Sequence, residues 1–365
     1  MLKVLVINPG SSSTKLGFYA IEKKKYKTET ELNSSVKTIW ENTIRHPVEI
    51  LKRFKNIFDQ LAYRKTIIEE NIKNQDFDAI ATRGGPLKPL ARGIYRITQK
   101  VVDDIYQGKT QSQHVSLLGP IISYELSTKY KVPAYFVDPE SVDEFIPIAY
   151  PSGLPEIPRK SLSHYLNIHA VSKKAAAILK KPVTRCNFIV AHLGSGITIA
   201  AKQRGRQIDA NNANEDGPFA PQRTGSLPLG GVVDLCYSGK YTKEEMLKKI
   251  QNFGGLLAYL GTDNLKEVLS RIKKGDRYAS LIYEAMIYQI AKEIGAMYIA
   301  LKGQVDAIVI SGGLAYESKF ITDLKKWLNC LNKQVLVFPG EEEMHALASG
   351  VFSVLLKKEK LKIYR

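Results

Sequence analysis

The chain has 365 residues, of which 44% are hydrophobic and 24% charged, enough apolar material for the cores of two domains of ordinary size. No apolar run reaches the ~18 residues of a membrane span, and the patch at residues 4–7 is too short for the apolar segment of a signal peptide. The net charge is +17, but the lysines are spread over many segments without a nucleic-acid-binding signature, so no nucleic-acid partner is expected; the charge reads as a solvated surface with a mild pull on small anions.

Taken in order, residues 2–7 form an apolar run that predicts a strand, and residues 14–21 predict a second strand joined to it by a serine-rich turn. Residues 36–43 are a weaker third strand. Residues 47–74 carry a helical periodicity. A strand at 77–82 closes on Arg83-Gly84-Gly85, a helix covers 116–130, and a strand at 132–137 ends in Asp138-Pro139. The plan then recurs. Strands at 186–193 and 197–202 flank Gly194-Ser195-Gly196, and a short strand follows at 207–210. Helices are expected at 242–251, 264–273 and 276–301, a strand at 305–311 before Gly312-Gly313, a helix at 318–331, a strand at 335–338 and a helix at 342–358.

Two hairpin strands, a third strand, helix, strand, helix and strand thus occur twice. The repeat lies in element order and turn chemistry, since the halves share little sequence. It predicts two α/β domains of one plan, each with a mixed five-stranded sheet. The expected division is 1–163 with 344–365 and 164–343, the final helix crossing back to the first domain. The space between the halves is the default place for a ligand. Three scattered cysteines without metal-like spacing fit a reducing cytoplasm.

The first hairpin turn of each half carries the chemistry. Asn8-Pro9-Gly10-Ser11-Ser12-Ser13-Thr14-Lys15 supplies hydroxyls, backbone amides and an ammonium; Gly194-Ser195-Gly196 supplies amides and close backbone approach. These groups suit a phosphate chain. An ordinary polar hairpin accounts for one such turn, but not for two in register. No Walker motif or kinase glycine-rich loop accompanies them, and the first strand meets Asn-Pro-Gly and a second strand instead of a dinucleotide-binding GxGxxG and a helix.

The blocks INPGSSSTKLGFY, TRGGPL, YFVDPESVDE, VAHLGSGITIAA, DGPFAPQRTGSLP, GGLLAYLGT, VDAIVISGGLAY and VFPGEEEMHALA, in this order, resemble the acetate kinase family of the actin-like ATPase superfamily. The resemblance covers nearly the whole chain, and the combination is specific. Asn-Pro-Gly-Ser, Val-Asp-Pro-Glu and Asp-Gly-Pro-Phe are closer to the family's butyrate kinase branch. Acetate kinases usually read Asn-Ala-Gly-Ser at the first turn and carry Asn where this chain has Ser195.

The resemblance implies duplicated RNase H-like domains. It also implies ATP and ADP, Mg²⁺, a short-chain carboxylate turned reversibly into an acyl phosphate, and a homodimer or larger homo-oligomer. Acetate or propionate kinase is the neighbouring reading. An actin-like regulatory or chaperone ATPase is the distant one, in which Arg83 and Arg223 have no purpose. By resemblance Arg83 and Arg223 line the active site, where a planar guanidinium bridges carboxylate and phosphoryl oxygens. His164 matches a phosphoryl-contacting histidine, although its KSLSHYL setting departs from the FHGTSH of acetate kinases; His114 matches another. Asp138 is expected to orient metal, water or arginine, because an ionised carboxylate acceptor needs no general base. Asn8, Ser11, Ser13 and Lys15 form one phosphate turn; His192, Gly194, Ser195 and Gly196 form the other. Thr262, Asp263, Gly312, Gly313 and Leu314 lie in nucleoside-contacting blocks. Glu342 and Glu343, with Asn8, are the expected magnesium side.

Overall fold

A computed structural model describes residues 1–73 and 75–365. The chain divides into two compact units, Met1–Asp143 with Glu342–Arg365, and Glu144–Glu341.

The first unit opens with β1 (Leu2–Pro9) and β2 (Ser13–Ile21), followed by α1 (Glu29–Ser35), β3 (Lys37–Arg45), α2 (Val48–Leu51) and α3 (Leu61–Asn71). Then come β4 (Ala79–Thr82), β5 (Ile94–Arg96), α4 (Gln99–Tyr106), α5 (Leu118–Tyr130) and β6 (Ala134–Val137). The sheet order is β3-β2-β1-β4-β6-β5. The hairpin pairs are antiparallel, while β1–β4 and β4–β6 are parallel. An unbroken apolar run makes β1 a central strand covered on both faces. Leu5 and Ile7 pack with Leu118, Ile121 and Ile122 of α5. Polar, mostly exposed β3 lies at the edge.

The second unit contains α6 (Tyr165–Ile178), β7 (Asn187–Leu193), β8 (Ile197–Gln203), β9 (Arg206–Ala210), α7 (Leu229–Tyr237), α8 (Lys243–Gln251), α9 (Gly255–Leu260) and α10 (Leu265–Lys273). It continues through α11 (Arg277–Ala300), β10 (Ala307–Gly312), α12 (Ser318–Leu328) and β11 (Val335–Pro339). Its order, β11-β10-β7-β8-β9, read from β9 matches β3-β2-β1-β4-β6 of the first sheet and has no counterpart of the edge strand β5. Alternate residues of β7 face opposite layers: Phe188 and Val190 meet Ile168 and Val171 of α6, while Ile189 and Ala191 meet Ile287, Ile290 and Ile294 of α11. Each fully buried isoleucine or leucine there contributes about 1.5–3 kcal/mol. The last helix, α13 (Glu343–Leu355), returns to the first unit and packs on β1, β2, β4, β5 and β6.

The duplicated α/β plan is present, with corrections. The first sheet has a sixth strand, since β5 pairs antiparallel with β6 at its edge; three residues are too few for a period-2 signal. The helix expected over 47–74 is interrupted, and its expected end at Asn74 lies outside the described residues. Asn56 Oδ1 accepts from Phe58 and Asp59 N–H, while Asp59 Oδ2 accepts from Lys55 and Asn56 N–H. These local bonds compete with the helix and restart it at α3. Residues 144–163, expected in the first domain, lie in the second unit. Ile146 N–H donates to Ile208 O, Glu144 accepts from Gln207 N–H, and Arg159 pairs with Asp209. At the far boundary Glu342 and Glu343 belong to the first unit, because α13 begins there.

Candidate functional site

In the first unit, Asn8 ends β1 and is buried; Lys15 stands directly opposite it in the hairpin and so shares its face. Between them Gly10 N–H donates to Ser13 O at 2.7 Å. Three carbonyls of the turn are taken by the protein. Ser12 O accepts from His46 N–H, and Ser11 O and Ser13 O accept from the Arg64 guanidinium. The backbone N–H groups of Ser11 and Ser12 have no protein acceptor among the described residues, and both residues are exposed. A turn with its carbonyls tied inward and amides left over has the polarity of an anion cradle.

A charged cluster sits at the end of the same strand. Glu343 Oε2 accepts from Asn8 Nδ2 at 3.0 Å and from Arg83 Nη1 at 3.1 Å. The other arm of Arg83 pairs with Glu140 Oε1, which also accepts from Ser116 Oγ. Ser116 is linked in turn to His114 Nδ1 at 2.7 Å. Helix α13 supplies Glu343 in its first turn, where a carboxylate is favoured by the helix dipole. The carboxylates of Glu140 and Glu343 supply hard oxygens of the kind that suit a divalent cation. Among the described residues no group of three or more His, Cys, Asp or Glu side chains makes a closed metal site. A divalent cation held by so few side chains would take the rest of its shell from water. Asp138, at φ +40°, donates its N–H to Gly93 O and accepts from Gly93 N–H on Oδ1 at 2.7 Å.

In the second unit, Arg223 lies against the Gly194–Gly196 turn. A Cβ on Gly196 would sit 2.3 Å from Arg223 Nη1, so only glycine admits the guanidinium there. Ser195 O accepts from Gln222 N–H, and Gln222 Nε2 donates to Asp263 Oδ2, which ties the loop at Thr262-Asp263 to the turn. Gly312, at φ +96°, passes within what would be 2.3 Å of Leu193 O for a Cβ, and so closes on the base of the same turn. His192 is buried, and its Nδ1 lies 2.7 Å from the amide nitrogen of Asn167, which also donates to Ser311 Oγ. With Nδ1 accepting, the His192 proton rests on Nε2. His164 stacks on His192 with ring centroids 4.1 Å apart, and its Nδ1 bonds Thr198 Oγ1 at 2.9 Å.

The expected residues therefore fall into two groups. Asn8, Arg83 and Glu343 are in contact, with Ser11, Ser13 and Lys15 on the adjoining turn. His164, His192, Gly194, Ser195, Gly196, Arg223, Asp263 and Gly312 form the other group. Thr262 hydrogen-bonds Glu267 and shapes its own loop. Gly313 follows Gly312 in open space. The Leu314 side chain is buried in the second unit's core, two residues after Gly312. Glu342 occupies the N-cap position of α13, next to Glu343, without a side-chain capping bond. His169 stacks on buried Tyr165 and has a packing role. Sequence reading missed Glu140, Arg64, Asn167 and Gln222. Glu140 was within reach, two residues after Asp138 in a block already noted.

The family model described as "Acetokinase family" matches residues 159–349. The chain is 45% identical over 369 aligned residues, covering all of both chains, to a protein named probable butyrate kinase 2 from Caldanaerobacter subterraneus subsp. tengcongensis. It is 41% identical, again over the whole of both chains, to butyrate kinase 1 of Clostridium acetobutylicum. Among solved structures, acetate kinase from Porphyromonas gingivalis superposes with a TM-score of 0.75 at 18% identity, covering 97% of this chain and all of that one, a likeness of fold. Family model, full-length relatives and fold agree, and the chain belongs to the acetokinase family.

Proposed function

We propose that the chain transfers the γ-phosphoryl group of ATP to a short-chain carboxylate of the butyrate class, giving the acyl phosphate and ADP reversibly. The observation that carries this reading is Arg83, held between Glu140 and Glu343 beside the serine turn. A guanidinium fixed next to an anion cradle is what a reaction between two anions requires. The full-length likeness to proteins named butyrate kinase supports the acceptor class.

One acceptor carboxylate oxygen attacks the γ-phosphorus. The bond from that phosphorus to the β,γ-bridging oxygen breaks, and ADP leaves with the bonding pair. No proton moves, because the acceptor is already ionised at pH 7. Asp138 therefore has an orienting role. Arg83 and Arg223 offset charge on the equatorial oxygens, with His164 as a further donor. The Asn8 and Gly194 turns hold the phosphate chain, and the loops at Thr262-Asp263 and Gly312-Gly313 hold the nucleoside. Glu343, with Asn8 and Glu342, would hold Mg²⁺, which when bound neutralises phosphate charge.

Cytoplasmic residence and self-association complete the reading. All three cysteines are free. Helix α7 exposes Leu229, Val233 and Tyr237, which supports a homo-oligomer and is checked by sedimentation. Trapping acyl phosphate as hydroxamate across acetate, propionate, butyrate, isobutyrate and valerate tests the substrate. Butyrate and isobutyrate are expected to give the highest kcat/KM. A maximum at acetate overturns the acceptor assignment and leaves the reaction type standing.

A further inference from the structure

Arg64 is the largest fully buried side chain among the described residues, and the mechanism above does not use it. It projects from α3 beneath the serine turn. Its Nε donates to Gln60 Oε1 at 3.0 Å, Nη1 to Ser13 O at 3.2 Å and Thr14 Oγ1 at 3.0 Å, and Nη2 to Ser11 O at 3.3 Å. Every acceptor is neutral. Among the described residues no carboxylate lies within ion-pair distance of it.

That is an unusual way to bury a cation. Taking a guanidinium out of water costs several kcal/mol, and carboxylates normally offset it. Burial lowers the Arg64 pKa to about 10, so the group stays charged at neutral pH. The neighbouring ring offers no anion either. His46 bonds Thr14 Oγ1, and burial together with the Arg64 charge pushes its pKa down to about 4, leaving it neutral. The positive charge is thus unbalanced within the protein, directly behind a turn whose Ser11 and Ser12 amides are left over on the exposed side.

We propose that Arg64 is a positioning residue for the phosphate chain: its fork ties the turn's carbonyls inward, and its charge is balanced only when a polyphosphate occupies the turn. This rests on the phosphate role given to the serine turn above. It deepens that role by locating the charge that drives binding on α3, outside the turn itself. The same residue explains the sequence order: an arginine in the third helix of the unit completes a site that begins at its first hairpin.

The test measures equilibrium binding of ATP and of AMP to wild type, Arg64→Gln and Arg64→Lys by calorimetry. AMP lacks the outer phosphates and reports the rest of the nucleotide site. Arg64→Gln is expected to weaken ATP by about tenfold or more, the size of one lost charge-assisted contact, and AMP by less than about twofold. Arg64→Lys, which keeps the charge, is expected to return ATP to within about threefold of wild type. Equal losses for ATP and AMP in Arg64→Gln make the residue merely structural and overturn the proposal, as does unchanged ATP binding. If Arg64→Gln does not fold, Arg64→Lys decides: ATP binding within about threefold of wild type upholds the proposal, and ATP binding weakened about tenfold or more overturns the charge-balancing role. Failure of the wild type to bind ATP at all is a different result, which removes the functional reading itself.

Discussion

Removing Arg83 separates the energetic from the catalytic content of the charged cluster. Arg83 is 17% exposed and contacts two carboxylates, one of them, Glu343, only 4% exposed. Arg83→Met removes the guanidinium paired with that buried carboxylate and leaves Asn8 Nδ2 donating to it. Charged hydrogen bonds contribute about 1.5–3 kcal/mol each, and stranding a buried ion costs about 3–5 kcal/mol. With a discount for the partly exposed Glu140 arm, about 3 kcal/mol is expected for Arg83→Met. Glu343→Gln costs less, about 1–2 kcal/mol, since Arg83 keeps Glu140 and an amide oxygen still faces Asn8. The double variant is expected near the Arg83→Met value, giving a coupling of about 1–2 kcal/mol. Urea unfolding of the four proteins, followed by fluorescence, measures it. Hydroxamate trapping on the same samples measures kcat, which falls on the order of 10²-fold or more in Arg83→Met if the guanidinium meets developing charge. Additivity to within about 0.3 kcal/mol refutes the coupling. Normal kcat in a folded Arg83→Met protein removes Arg83 from the reaction.

Three other substitutions probe separate points. Gly196→Ala places a methyl group where the Arg223 guanidinium lies, so kcat is expected to fall at least as far as in Arg223→Ala while the melting temperature shifts little; unchanged kcat shows that Arg223 acts from elsewhere. Asp138→Asn keeps an acceptor for Gly93 N–H and a residue tolerant of positive φ; an unaltered melting temperature with a lower kcat and a raised magnesium requirement is expected, whereas loss of an acidic limb in the pH–rate profile would make Asp138 a base. Burial opposes ionisation of Asp104, but Lys100 and Lys88 overcome it and hold the carboxyl below the usual range. Its stabilisation is therefore complete above about pH 4 and is lost as pH falls below that. Asp104→Asn is expected to cost about 1–3 kcal/mol at pH 7, moderated by the partly exposed lysines. The deficit shrinks on acidification, and a deficit that grows with acid reverses the sign and sinks the assignment.

Strands were easier to read than buried helices. Unbroken apolar runs such as β1 and β10 announce central strands, and glycine after each announces a turn. Helix α6 gave no such pattern because polar Asn167, His169 and Ser172 are buried among its apolar residues. Asn167 is buried because it holds His192, a contact between residues that no local period connects. Arg64 shows the same limit: in sequence it is one more basic residue of a lysine-rich protein, and only the packing of α3 behind the hairpin turns it inward. Glu343 was legible as an acid at a helix start, but its sharing between Asn8 and Arg83 depends on α13 returning to the first sheet.

That return has a consequence for biosynthesis. The second unit is contiguous in sequence, whereas the first is split around it. Domains usually fold in the order in which they leave the ribosome. Here the first sheet emerges early, yet α13, which packs on β1, β2, β4, β5 and β6, is translated after the whole of the second unit. Lys362 then bridges to Tyr95, and Tyr364 packs edge-on against Phe136. During synthesis the second unit can therefore close while the first still exposes the sheet face that α13 will cover. The first unit is therefore the half of the chain that stays open longest, and Glu343 reaches Asn8 and Arg83 only as that exposure ends.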